Sequence, residues 1–142
     1  MDDTHTIRIA VDAMGGDYAP QNVVAGALAA LRETNNRFEV LLIGQESLIR
    51  SQLHSNSDEQ LNYKIVHAAD VIDMHDSATA ALRQKKDSSI GIGMTMHKEG
   101  KVDAFVSAGH TGAMVSASTL ILGRLEGVSR PTIGAFLPSE KG

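Results

Sequence analysis

"SSIGIGMTMHKEG" (residues 88–100) decides between two folds. Ile90, Ile92, Met94 and Met96 recur at strict period two, the signature of a strand. Gly91 and Gly93 each lower helix propensity by about 1 kcal/mol relative to alanine. Against this, Asp87 and Ser88 are good helix N-caps, and Gly100 among lysines is a good helix stop. The neighbours arbitrate. "YKIVHA" (63–68) and "KVDAFVSA" (101–108) both read as strands, and a helix between them keeps strands and helices alternating. The pattern therefore predicts a helix over 88–100.

The alternation extends in both directions. "IRIAVDAM" (7–14) is a β-branched strand closed by Gly15-Gly16. In "APQNVVAGALAALRET" (19–34), Val23, Ala27 and Leu31 recur at helical spacing beside Val24 and Leu28, with Pro20 where a first turn tolerates it. "FEVLLIG" (38–44) is a nearly continuous apolar strand. "QESLIRSQLH" (45–54) is a polar helix with Leu48, Ile49 and Leu53 on one side, and "SNSDEQLN" (55–62) is a solvated loop. "DSATAALRQKK" (76–86) and "TGAMVSASTLILGRL" (111–125) read as helices, and "RPTIGAFLP" (130–138) as a last strand. Strands apolar on both faces, alternating with helices, imply a mainly parallel sheet covered on two sides: a three-layer, doubly wound α/β fold. No repeat, linker or low-complexity tract interrupts residues 1–142, so a single domain is expected.

Composition narrows the function. With 42% hydrophobic and 21% charged residues, the chain has the balance of a globular protein rather than a disordered one. A net charge of -4, with both signs mixed along the chain, excludes the basic surface that nucleic acid requires. The absence of cysteine excludes disulfides, thiolate metal sites and a cysteine nucleophile. The six histidines lack metal-ligand spacing, so no metal is expected. "MDDTHTIRIAVDAMGGD" puts acids before a short apolar run, the reverse of a secretory signal. No apolar run approaches the roughly 18–20 residues of a membrane span. A soluble, cytoplasmic protein is expected.

In parallel sheets, ligands bind where strands end and loops enter helices. Two glycine-bearing loops occupy that position, "DAMGGD" (12–17) and "SAGHTGA" (107–113). Glycine lets backbone N–H groups approach an anion, and a helix start favours negative charge. Ser107 and Thr111 add hydroxyls. Neither loop is a Walker A or dinucleotide fingerprint, and Phe105 stands where a nucleophile elbow needs glycine. Strand-to-helix turns are glycine-rich without any ligand, so spacing leaves both readings open for 107–113 and favours a plain turn for 12–17. In "RQKKDSS" (83–89) the plain reading is a solvated basic helix end followed by a Ser/Asp cap. The sharper one puts Lys86, Ser88 and Ser89 around a phosphate. Ser107, His110 and the His75-Asp76 pair contain the residue types of a hydrolytic triad, but no spacing supports one. Met14, Met94, Met96 and Met114 read as core filler.

Taken together, "IRIAVDAMGGDYAP", "ALRQKKDSSI", "KVDAFVSAGHTGAM" and "GVSRPTIGAFLP" resemble successive signatures of the PlsX family, the acyl-ACP:phosphate acyltransferases of bacterial phospholipid synthesis. The resemblance runs from Ile7 to about Pro138. It implies the fold of isopropylmalate dehydrogenases and phosphotransacetylases, with a cleft between two parts. It also implies conversion of acyl-ACP and inorganic phosphate to acyl-phosphate, with no cofactor. Further implications are a homodimer, peripheral association with the inner face of the membrane, and a glycerol-3-phosphate acyltransferase that takes the product. Residue by residue, Asp12, Gly15, Gly16 and Asp17 match the first signature loop. Arg83, Lys86, Ser88 and Ser89 match the second, and Ser107, Ala108, Gly109, Thr111 and Gly112 the third; Arg130 and Pro131 match the pair after the helix. The resemblance implies that these loops line the phosphate end of the cleft.

Departures carry expectations too. The family usually has asparagine at His110 and an acidic-proline pair at Ser77-Ala78. A histidine that carries charge beside phosphate would make phosphate affinity rise as pH falls. Family members are more than twice as long, so this chain corresponds to their N-terminal part, and alone it is expected to be inactive. With no cysteine in this chain, an acyl-cysteine intermediate would need a residue from the remaining part of such an enzyme, and direct attack of phosphate on the thioester is the expected course. Rival readings are a phosphotransacetylase acting on CoA thioesters, a dehydrogenase of the same fold, and a non-catalytic phosphate-binding module.

Overall fold

A computed structural model describes residues 6–53 and 60–135. Its elements are β1 (Ile7–Asp12), α1 (Gln21–Glu33), β2 (Phe38–Gly44), α2 (Glu46–Leu53) and β3 (Tyr63–His67). There follow α3 (Ala78–Gln84), α4 (Ser89–Lys98), β4 (Ala104–Val106) and α5 (Thr111–Ala117), which runs into a π-helical turn over Ser118–Leu122. Alternation along β2 splits the core between two faces. Val40 and Leu42 pack with Val24, Leu28 and Leu31 of α1 and Ile49 of α2, whereas Leu41 and Ile43 pack with Val102, Ile92, Met96 and Phe105 on the α4 side. Burial on both faces is why β2 reads as a continuous apolar run. Three layers result, with α3 and α5 packed outside α4.

All strand pairs are parallel, in the order β3-β2-β1-β4. The chain steps from β1 outward to β2 and β3, then returns to place β4 on the opposite side of β1. The order therefore reverses between β1 and β4. At such a reversal the loops leave in opposite directions and open a crevice at the carboxyl ends of the strands.

The segment 88–100 is helical, as α4. Its period-two pattern is two helical stripes in one: Ile90 and Met94 face Ala113 and Ala117 of α5, while Ile92 and Met96 face the sheet. Each stripe has i, i+4 spacing, and a helix buried between two layers needs both. Ser88 caps it, accepting a hydrogen bond from the Gly91 N–H at 3.2 Å. Gly93 has a packing reason, because a Cβ there would overlap the Phe105 ring.

The strand expected over 130–138 does not form within the described residues. Residues 131–135 are irregular and exposed, and they pair with no strand. Ile133 is 63% exposed, so this apolar run meets no neighbouring element that would make it a buried strand. Residues 136–138 lie outside the described residues, as do residues 1–5, His54 and residues 55–59 of the expected loop. The other elements fall where expected, β2 over the same residues and the rest shorter: the first strand stops at Asp12, the strand in 101–108 covers Ala104–Val106, and the helix in 76–86 covers Ala78–Gln84. Among the described residues no helix is long and apolar enough to cross a membrane.

Candidate functional site

Val11 pairs with Val106, so the residues that follow, Asp12 and Ser107, leave the sheet side by side at the reversal. Asp12 is only 2% exposed. Its Oδ2 accepts a hydrogen bond from Ser107 Oγ at 2.7 Å, and its Oδ1 accepts one from the Met14 N–H at 3.1 Å. Ser107 Oγ in turn accepts from the Gly109 N–H at 3.0 Å. A buried carboxylate is costly unless donors meet it, and these two donors come from different loops. Asp12 thus ties the first glycine turn to the third.

The turns touch. A Cβ on Gly15 would overlap the Asp12 carboxylate and come within 2.8 Å of Gly109 N; one on Gly109 would lie 3.0 Å from Gly15 Cα. Such approach of two backbones requires glycine on both sides. The N–H groups of Gly16, Asp17 and His110 donate to no acceptor among the described residues. Ser107 stands between two cavities. One of about 450 Å³ is lined by Asp12, Gly16, Tyr18, Asn22, Val106 and Ala108 among others. The other, of about 320 Å³, includes Gly109, Thr111, Val115, Pro131 and Thr132. Gly112 packs in the first turn of α5 against the His110 ring and Ala78.

His110 is the N-cap of α5. Its Nδ1 accepts from the Ala113 N–H at 3.2 Å, and its Nε2 lies 3.0 Å from the Asp76 carbonyl oxygen. Its ring does not bond Ser107, and His75 sits exposed beside Asp73 at 3.5 Å, so no hydrolytic triad assembles. Among the described residues no cluster of His, Asp or Glu is arranged to hold a metal ion.

The second group behaves differently from the two loops. Ser88 and Ser89 are buried at the start of α4, while Arg83 and Lys86 are exposed. No hydrogen bond among the described residues joins residues 83–89 to either glycine turn. The adjacent lysines divide their roles. Lys85 Nζ donates to the Val71 carbonyl at 2.8 Å and to Asp76 Oδ2 at 2.5 Å. This bond, with one from the Asp73 backbone, holds the Asp76 carboxyl below its ordinary value of 3.8. The Lys85–Asp76 pair went unread in the sequence, because nothing in "KK" says which lysine faces inward. Met14 packs against Gly44, in keeping with its reading as core filler.

A parallel sheet with two glycine turns in contact at its topological reversal defines an open α/β protein, and in that class the crevice at the strand ends is where ligands bind. Comparison with known proteins adds the family. Residues 7–142 match the family model described as "Fatty acid synthesis protein", and the chain belongs to that family. It is 52% identical over 132 residues to a phosphate acyltransferase of Chlorobaculum parvum, covering 93% of this chain and 39% of that protein. It is 47% identical over 136 residues to one of Syntrophomonas wolfei, covering 96% and 42%. Against one of Brevibacillus brevis the identity is 48% over 136 residues, covering 96% and 40%. The chain thus spans about two fifths of the length of the curated relatives it matches.

Proposed function

We propose that residues 1–142 form the N-terminal α/β domain of a phosphate acyltransferase that makes acyl-phosphate from acyl-ACP and inorganic phosphate. The observation that carries this reading is the contact between the first and third glycine turns, stitched by Asp12, Ser107 and Gly109 at the sheet reversal. A phosphate oxygen attacks the thioester carbonyl, and the tetrahedral oxyanion collapses to acyl-phosphate as the C–S bond breaks. The thiolate leaves and takes up the proton that phosphate gives up. Such a reaction needs the reactants held together and donors aimed at the developing charge. The unengaged N–H groups of Gly16, Asp17 and His110 suit that need. Thr111 and Gly112 would shape the same turn, with the exposed Arg83 and Lys86 and the Ser88-Ser89 helix start supplying a second approach to phosphate. Asp12, held by its own donors, orders the loops.

The same reading includes a homodimer, peripheral association with the cytoplasmic face of the membrane, and delivery of product to a glycerol-3-phosphate acyltransferase. Leu120, Leu122, Leu125, Val128 and Ile133 are exposed, apolar surface of the kind that further chain or a second copy covers. The test is an assay of the full-length protein with acyl-ACP and phosphate, trapping acyl-phosphate with hydroxylamine as the hydroxamate. Phosphate-dependent thiol release from acyl-ACP but not from acetyl-CoA is expected, and residues 1–142 alone should not turn over. Release from acetyl-CoA alone would make the protein phosphotransacetylase-like, and release from neither would leave a binding module. An acylated protein trapped in a single turnover would overturn direct attack by phosphate.

A further inference from the structure

We infer that His110 is a pH-sensitive positioning residue: its neutral ring latches the 109–111 turn to the 70–77 segment, and protonation opens the latch. The inference stands on donor chemistry and does not depend on the acyl-transfer reading. An amide N–H can only donate, so His110 Nδ1, 3.2 Å from Ala113 N, must be the unprotonated acceptor. A carbonyl oxygen can only accept, so Nε2, 3.0 Å from the Asp76 carbonyl, must carry the hydrogen. Both bonds exist together only in the neutral Nε2–H tautomer.

A proton on Nδ1 sets two donors against each other, removes the cap of α5 and places positive charge at a helix N-terminus, which disfavours it. The charged groups of the joined segment and of α3 are Asp76, bonded to Lys85, and the exposed Arg83. Asp12 lies beyond Gly109, His75 and Asp73 lie in the joined segment, and α4 presents no charged residue before His97. Because the latched state binds the neutral ring only, protons compete with it, and the latch weakens as pH falls. This is opposite in sign to the dependence expected from a charged histidine beside phosphate. Asparagine in its place would cap through Oδ1 at any pH.

The test is made on the full-length protein. Long-range proton–nitrogen correlation spectra at about pH 8, where histidine is ordinarily neutral, should show His110 as the Nε2–H tautomer. The Nδ1–H tautomer would overturn the proposal. Amide exchange at Ala113, corrected for the pH dependence of the chemistry itself, is the second reading. Protection should fall about fivefold between about pH 8 and 5.5, the scale of losing one cap bond. In His110→Asn it should stay level over that range. Equal pH dependence in the two proteins would overturn the latch, and the tautomer reading holds even if the variant fails to fold.

Discussion

Ser107 Oγ lies 2.7 Å from Asp12 Oδ2, joining two strand ends that are 95 positions apart in the chain. Removing the hydroxyl by Ser107→Ala leaves a buried carboxylate short of a donor, which costs about 1–3 kcal/mol. Asp12→Ala should cost a similar amount, and the double variant less than the sum, with a coupling on the order of 1 kcal/mol. Urea unfolding of the four proteins measures it. Additive losses would mean that the pair does not hold the two turns together.

Gly15→Ala tests the backbone contact between the same turns. Its new Cβ meets Asp12 and Gly109 N, neither of which can step aside without breaking the stitch. A loss of about 1–3 kcal/mol is expected from overpacking, together with weakened phosphate binding. Calorimetry on one preparation reads both effects, and unaltered phosphate affinity would detach the turn from the ligand.

At Gly93 two effects oppose. Alanine gains about 1 kcal/mol in helix propensity, but its Cβ overlaps Phe105, and overpacking costs about 1–3 kcal/mol. The steric cost wins, so Gly93→Ala should destabilise. Adding Phe105→Leu should recover part of the loss. If Gly93→Ala stabilises by itself, the contact between α4 and β4 is looser than the structure has it.

The Lys85–Asp76 bond sets a pH dependence of its own. Because the folded state holds the Asp76 carboxyl below 3.8, the charged form is favoured on folding. Its contribution is therefore present above pH 3.8 and is lost as pH falls through the lowered folded value. The Tm of the wild type should exceed that of Asp76→Asn at neutral pH, and the gap should close as acid is added. A gap that persists below that window would assign the effect to packing.

Lys85 and Lys86 should separate cleanly. Lys85→Ala breaks the bonds to Asp76 and the Val71 carbonyl and should lower Tm. Lys86→Ala touches an exposed side chain, so Tm should hold while phosphate affinity drops by about 1–3 kcal/mol if the ammonium reaches the anion. Loss of stability from Lys86→Ala with phosphate affinity intact would reverse the assignment.

Local pattern by itself determined the succession of strands and helices. Apolar runs such as 38–44 and the cap residues at 87–88 act within a few residues, where hydrogen-bonding geometry and burial leave few choices. The glycine turns at 12–17 and 107–113 were legible as turns for the same reason. Their meeting was not, because contact across 95 positions depends on β4 crossing to the far side of β1, which no local signal encodes. Tertiary packing likewise gave the helix predicted over 88–100 its two buried stripes, and chose Lys85 rather than Lys86 for the ion pair. It left 131–135 without a partner strand among the described residues, and it gave the His110 ring a cap and a carbonyl as partners. Each of these outcomes turns on which neighbour lies opposite a side chain, and the arrangement of the layers decides that.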